Sequence, residues 1–200
     1  MRNKYIWVFI GALSLIGIMM WLQKDAFQAS LASKILRFHV LANSDEVEDQ
    51  AVKEKVRDAV GTYLKPYLEV ADSLENTKVI VYENMDEIIG VAHKTLQENG
   101  YDYEVKAQII HTEFPEKTYG AFTFPAGTYE ALQMVIGEGK GQNWWCVLYP
   151  NMCFRGSLYE VVEDDAGEAL REVLSPWEYE KVFNSRKVQL RFKFLEFFQR

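Results

Sequence analysis

Two hundred residues fit a single domain. A composition of 48% hydrophobic and 14% aromatic residues can furnish a sizeable core, which excludes wholesale disorder. The chain carries a net charge of −7; setting aside Arg2, Lys4 and Lys24, which flank a hydrophobic segment, 19 basic side chains face 29 acidic ones, net −10. Such an acidic domain is repelled by nucleic acid and by anionic lipid head groups, which argues against both as its ligands.

Tyr5 to Leu22 is an 18-residue run whose one polar side chain is Ser14. As a helix it spans about 27 Å, enough for the hydrocarbon core of a bilayer. Arg2 and Lys4 hold its leading end on the cytoplasmic side. Residues 1–24 are therefore expected to be an export segment, either a cleaved signal peptide or a retained anchor. Ser30-Leu31-Ala32 satisfies the small-x-small rule for cleavage but lies rather far downstream. Residues 25–34 are expected as a linker and 35–200 as one extracytoplasmic domain, which touches membrane only through the N-terminal segment.

Ile35 to Leu41 reads as a strand, and Ala42-Asn43-Ser44-Asp45 as a turn, with Asp45 and Glu48 placed for a capping box. Val52, Val56, Val60, Leu64 and Leu68 then recur at helical spacing, and Pro66 is expected to kink or end that helix. Ser73–Glu83 fits a strand through Val79-Ile80-Val81 and a helix through Leu74, Val81 and Ile88. Asn84–Asn99 predicts a helix closed by Gly100. Tyr103, Val105, Ala107 and Ile109 alternate with polar residues as in a half-buried strand. Tyr119–Phe124 and Tyr129–Ile136 suggest a strand pair across Pro125-Ala126-Gly127. Asn143–Tyr149 forms a further strand and Glu160–Ala169 an acidic loop. Ser175-Pro176-Trp177-Glu178 starts a helix, and alternation at Val188, Leu190, Phe192 and Phe194 marks a last strand. The elements sum to an α+β domain with helices packed on a largely antiparallel sheet.

Few motifs carry chemistry. Gly137-x-Gly139-x-Gly141 lacks the Gly-Lys-Ser/Thr ending of a phosphate loop and opens no helix, so a tight connection explains it better. Cys146 and Cys153, the two cysteines, are at disulfide spacing for an exported chain; buried thiols, or Cys146 as a nucleophile with His39 or His111 as base, are the alternatives. His39, His93 and His111 are scattered, without metal-ligand spacing, and no cofactor is expected. Arg37, His39, Asn43, Asp45, Asp49, Arg57 and Asp58 make a dense polar stretch, and the adjacent Trp144 and Trp145, preceded by Asn143, must point to opposite faces of a strand. One tryptophan is then expected in the core and the other at a binding hot spot beside those charges. On this expectation alanine at Arg37, Asn43 or Asp45 abolishes activity and leaves the fold intact.

The run Leu36-Arg37-x-x-Val40-Leu41-Ala42-Asn43-Ser44-Asp45-x-x-x-Asp49-Gln50-x-x-Lys53-x-Lys55-Val56-Arg57-Asp58-Ala59-Val60 resembles stage II sporulation protein R of endospore-forming bacteria. So do Phe114-Pro115-x-Lys117-x-Tyr119-Gly120, Pro125-Ala126-Gly127-x-Tyr129-Glu130-Ala131, and Gly141-x-Asn143-Trp144-Trp145-Cys146-Val147-Leu148-Tyr149-Pro150-x-x-Cys153-Phe154. The resemblance covers residues 35–155. It implies a secreted forespore protein facing the space between the two membranes. There it would activate a membrane-embedded aspartic protease of the mother cell, which processes the precursor of the early mother-cell sigma factor. It supplies no catalytic residues. The competing class is an exported hydrolase of the cell envelope, cysteine-dependent or acid–base.

Overall fold

The computed structural model describes residues 2–152 and 163–184. Its elements are α1 (Arg2–Ala32), β1 (Leu36–Leu41), α2 (Val47–Glu69), α3 (Leu74–Glu83), α4 (Met85–Glu98), β2 (Val105–Phe114), β3 (Lys117–Tyr119), β4 (Phe122–Phe124), β5 (Gly127–Ile136), β6 (Asn143–Tyr149), α5 (Glu163–Val173) and α6 (Pro176–Asn184). The protein is α+β, as its sequence suggests, with a mixed sheet.

Four strands run in the order β2-β5-β1-β6. β1 pairs parallel with β5 and antiparallel with β6, and β2 pairs antiparallel with β5. Because strand side chains alternate, the sheet has two chemically separate faces. Phe38, Val40, Leu132, Met134, Cys146 and Leu148 point to one face, where the apolar stripes of α2 and α4 close the first core. The opposite face is covered at one end by β3, β4, α5, α6 and the last turns of α1, which form the second core.

Several expectations are corrected by this packing. The expected 25–34 linker is, up to Ala32, the end of α1, whose Phe27 and Leu31 are buried in the second core. Gln28 Nε2 donates to Thr128 O at 2.8 Å and Ser30 Oγ to Glu178 Oε1 at 2.6 Å. Cleavage after Ala32 would strip all four residues from the fold. The Asp45–Glu48 capping box does not form: α2 starts after Glu46, which makes no side-chain cap, and Ser44 Oγ accepts the Glu46 N–H. Pro66 does not end α2, because burial of Val60, Leu64 and Leu68 holds the helix through to Glu69. Ser73–Glu83 resolves as helix, with Ser73 Oγ capping the Asn76 N–H at 3.1 Å.

The expected pairing of 119–124 with 129–136 is absent. Gly120, at φ 55°, turns the chain inside the first segment, so β3 pairs with β4 while β5 joins the main sheet. Part of the expected 160–169 loop is helix, since Ala166, Ala169 and Leu170 bury one face of α5. The last strand predicted at 188–194 lies outside the described residues. Much of the apolar run Tyr5–Leu22 also concerns side chains outside them, and among the described residues no helix is long and apolar enough to cross a membrane.

Glu178 fastens the end of α1 to α6. It is buried and accepts hydrogen bonds from Lys34 Nζ at 2.5 Å, from Ser30 Oγ, and from both the N–H and the hydroxyl of Ser175 at 2.7 Å. Burial alone would raise its pKa, but the hydrogen bonds from Lys34, Ser30 and Ser175 outweigh it and lower the value to about 2. A carboxylate held below its unfolded value stabilises the fold above the unfolded pKa. That contribution is lost as pH falls through the folded one. The stabilisation is on the order of 3 kcal/mol at neutral pH, from about 1.4 kcal/mol per pKa unit. Glu178→Gln is expected to lower the urea midpoint at pH 7 and to flatten the loss of stability between about pH 4.5 and 2, measured by denaturation across that range.

Candidate functional site

Arg37 lies in the second core with no exposed surface. β1 is flanked by strands on both sides, so Arg37 faces its register partners Ala131 and Val147 and cannot reach solvent along the sheet. Four rings surround its guanidinium carbon: Phe114 at 4.4 Å, Tyr129 at 5.1 Å, Phe124 at 5.3 Å and Tyr119 at 5.8 Å. Nε donates to Cys146 O at 3.0 Å and Nη2 to the Tyr119 hydroxyl at 3.1 Å, which itself donates to Trp145 O at 3.0 Å. Among the described residues no carboxylate pairs with it. Burial lowers the Arg37 pKa, partly opposed by the electrostatic influence of Tyr119 and Tyr129.

His39 is two residues along the same face and 2% exposed. Its ring stacks on Trp145, centroids 4.9 Å apart and 9° from parallel, and leans on Phe114 at 5.4 Å. Neither ring nitrogen has a hydrogen-bond partner among the described residues. Burial pushes its pKa down to about 4; Asn143 opposes the shift without a bond of normal geometry, and the Arg37 charge adds to it. His39 is therefore neutral at pH 7 and serves as part of the floor under Trp145.

Beyond His39 the strand ends in a polar knot. Asn43 Nδ2 and Ser44 Oγ donate to Asp49 Oδ2 at 2.8 and 2.6 Å, and the Tyr103 hydroxyl donates to Oδ1 at 3.0 Å. Burial would raise the Asp49 pKa, but the bonds from Ser44, Asn43 and Tyr103 prevail and lower it. Asn43 Oδ1 accepts the Glu138 N–H at 3.0 Å, tying the knot to the glycine loop. Gly137 has φ +58°, and a Cβ there would collide with Asn43 Oδ1; one at Gly141 would collide with the Ser44 carbonyl. The glycines thus serve close packing, as their lack of a phosphate-loop ending suggests.

The residues expected to form one patch divide among three places. Arg37 and His39 are core. Asn43 and the buried Asp49 belong to the knot, while Asp45 is exposed beside it. Trp144 points to the helical side, T-shaped against Phe38 at 5.7 Å and under the Arg57 guanidinium at 5.0 Å. Arg57 is buried and pairs with the half-buried Asp58 at 2.7 Å. Trp145 points to the other face. The tryptophans do split between faces as alternation requires, yet both are half-buried. Cys146 is buried in the first core, and Cys153 lies outside the described residues. Among the described residues no cluster of three or more His, Cys, Asp or Glu could hold a metal ion.

The part of the second sheet face left uncovered by described elements consists of two rows of register partners: Gln108–Gln133–His39–Trp145 and Lys106–Val135–Leu41–Asn143. Apart from the buried His39 their side chains are half-buried or exposed, and Gln108 donates to Gln133 at 3.1 Å. This open half-face, floored by His39 and edged by the Asp49 knot, is the candidate site. Tyr119, Tyr129, Phe114 and Tyr103 were not expected to have roles. Three of them recur in the aromatic-rich block Phe114 to Tyr129, a run with more rings than a short hairpin needs.

The fold, with Leu41, Val135 and Trp145 set among five polar side chains on this sheet face, is that of an α+β domain built on a mixed sheet. The family model for stage II sporulation protein R matches residues 32–158. A curated relative, stage II sporulation protein R of Bacillus subtilis (strain 168), is 33% identical over 142 residues, which is 71% of this chain and 60% of the relative. The chain belongs to the stage II sporulation protein R family, and so to sporulation. It spans about 60% of the length of the curated relative it matches, and no solved structure matches it.

Two outcomes follow from the core placement of Arg37 and His39. Contrary to the expectation that Arg37→Ala leaves the fold intact, it removes a buried side chain from among four rings and should cost about 2–5 kcal/mol in urea denaturation. Arg37→Lys, which keeps charge without the planar fork, should cost less but still measurably. His39 has a folded pKa below its unfolded value and is bound neutral. Its contribution is present above about pH 6.5 and lost as pH falls towards 4. His39→Phe should remove that part of the slope of stability against pH, read by thermal melts at several pH values.

Proposed function

We propose that this chain is exported by its N-terminal helix and acts as a non-enzymatic signalling ligand in endospore formation. Its partner in this reading is a membrane-embedded aspartic protease of the mother cell, which it activates to process the early mother-cell sigma-factor precursor. The domain faces the space between forespore and mother-cell membranes.

The observation that carries the reading is the open half-face. Trp145, Asn143, Leu41, Val135 and Gln133 are presented on a strand platform floored by His39, which stacks on Trp145 next to the hydrogen-bonded Arg37. A preorganised aromatic patch with adjacent amides suits protein recognition, because little side-chain entropy is lost on docking. Arg37, His39, Asn43 and Asp49 act in this reading by holding the patch in place, while Asn143, Trp145 and the exposed Asp45 make contact. Trp144, Arg57 and Asp58 form a flank on the helical side. Activation by binding alone asks for about 5 kcal/mol of preference for the active protease. We also assign a Cys146–Cys153 disulfide, whose eight-residue loop would stabilise by roughly 2.5 kcal/mol on the loop-entropy model.

Reconstitution tests this. The full chain, with its own N-terminal helix because Phe27 and Leu31 belong to the core, is co-expressed with the protease and the sigma-factor precursor in a non-sporulating host. Cleavage should depend on the chain, fall at least tenfold in Trp145→Ala, and survive the double change Cys146→Ala and Cys153→Ala in folded protein. Cleavage without the chain, or turnover of a peptide or peptidoglycan substrate by the purified chain alone, would replace this reading with the hydrolase one.

A further inference from the structure

α1 continues without a break from the apolar run into the second core. Along the run, Leu15, Ile16, Ile18, Met19 and Leu22 are all more than half exposed, and nothing lies within 4 Å of where a Cβ on Gly11 or Gly17 would be. The helix therefore projects from the domain as an apolar rod. At its junction with the domain stands a second exposed apolar feature. Trp177, at the start of α6, is 51% exposed and packs T-shaped on Phe27 at 5.4 Å. The Lys181 ammonium lies 4.3 Å from the Trp177 ring and 4.9 Å from that of Phe27.

The position of this cluster along α1 is what gives it meaning. Phe27 follows the last residue of the apolar run, Leu22, by five residues, or about 7.5 Å of helix rise. The head-group zone on each side of a hydrocarbon core is about 5–8 Å thick. An indole, with its apolar body and polar N–H, and a lysine able to reach outward are the side chains that settle in that zone. The orientation also agrees: Glu178 faces Ser30 and Lys34, farther from the run, while Trp177 and Lys181 face Phe27, nearer to it. The net acidity of the domain argues against attraction to anionic head groups. Aromatic anchoring in a zwitterionic interface needs no such attraction.

We propose that Trp177 and Lys181 dock α6 onto the surface of the bilayer that α1 enters, so that lipid contact extends beyond the N-terminal helix. The domain is thereby held at a set angle to the membrane. This rests on the reading of α1 as a retained membrane anchor.

Full chain labelled with 5-fluorotryptophan in phosphatidylcholine nanodiscs tests both together. Trp177→Tyr and Trp21→Phe assign their resonances. A lipid carrying a nitroxide at carbon 5 should broaden the Trp177 resonance at least threefold more than those of Trp144 and Trp145, and a soluble gadolinium chelate should broaden it less. A Trp21 resonance broadened by the lipid nitroxide, with Trp177 indistinguishable from Trp144 and Trp145, would overturn the docking and leave the anchor standing. Failure of the lipid nitroxide to broaden Trp21 would overturn the anchor and the docking with it.

Discussion

A guanidinium with no carboxylate partner among the described residues sits at the centre of the second core, and the arrangement of that core follows from the need to satisfy it. An isolated charge in an apolar interior is costly unless its donors are bonded and its field answered. Here the answer comes from ring faces rather than from an anion: Phe114 from β2, Tyr119 from β3, Phe124 from β4 and Tyr129 from β5. Each such contact is worth about 0.5–2 kcal/mol. The hydrogen bond to Cys146 O adds β6, and one to Tyr119 reinforces β3. One side chain on β1 thus touches every other strand, including the small β3–β4 hairpin that closes over this end of the sheet.

The same strand organises its neighbourhood in steps of two. Burial keeps His39 neutral, its ring nitrogens have no partner among the described residues, and it works as an aromatic surface stacked under Trp145. Leu41 is the next residue on that face and is only half-buried, because the cover supplied by the hairpin and α5–α6 stops short of it. Where the strand ends, Asn43 and Ser44 turn their polarity inward onto Asp49 and the glycine loop. The resulting gradient, from caged charge to neutral ring to half-buried Leu41 to polar knot, leaves this patch uncovered by the described elements. At its edge Asn43, Ser44 and Asp49, and on it the Gln108–Gln133 pair, are committed to internal hydrogen bonds.

The end of α1 is part of the folded domain. Phe27 and Leu31 contribute to the second core, and Ser30 and Lys34 satisfy Glu178. A helix that leaves the domain as an apolar rod is thus also one of the domain's structural elements. The domain cannot swing freely about that helix, because its last turns are bonded to β5 and α6.

The sequence by itself determined the family, the α+β class, the helical stripe of α2, the strands β1 and β6, and the cap at Gly100, which takes φ 83°. These are local or pattern-level properties: 3.6- and 2-residue periodicity, a glycine with positive φ, and motif spacing. It also marked Arg37, His39, Asn43, Asp49 and Trp145 as important, since polar groups on an apolar strand stand out in a linear reading. Only the tertiary structure decided what they do. Whether a charged residue is a contact or a core member depends on what packs over its face, and here the cover comes from Phe114, Tyr119, Phe124 and Tyr129, 77 to 92 residues away in the chain. The pairing of β5 with β1 instead of with its sequence neighbour, and the continuation of α2 through Pro66, were likewise settled by burial between distant elements, which no local signal encodes.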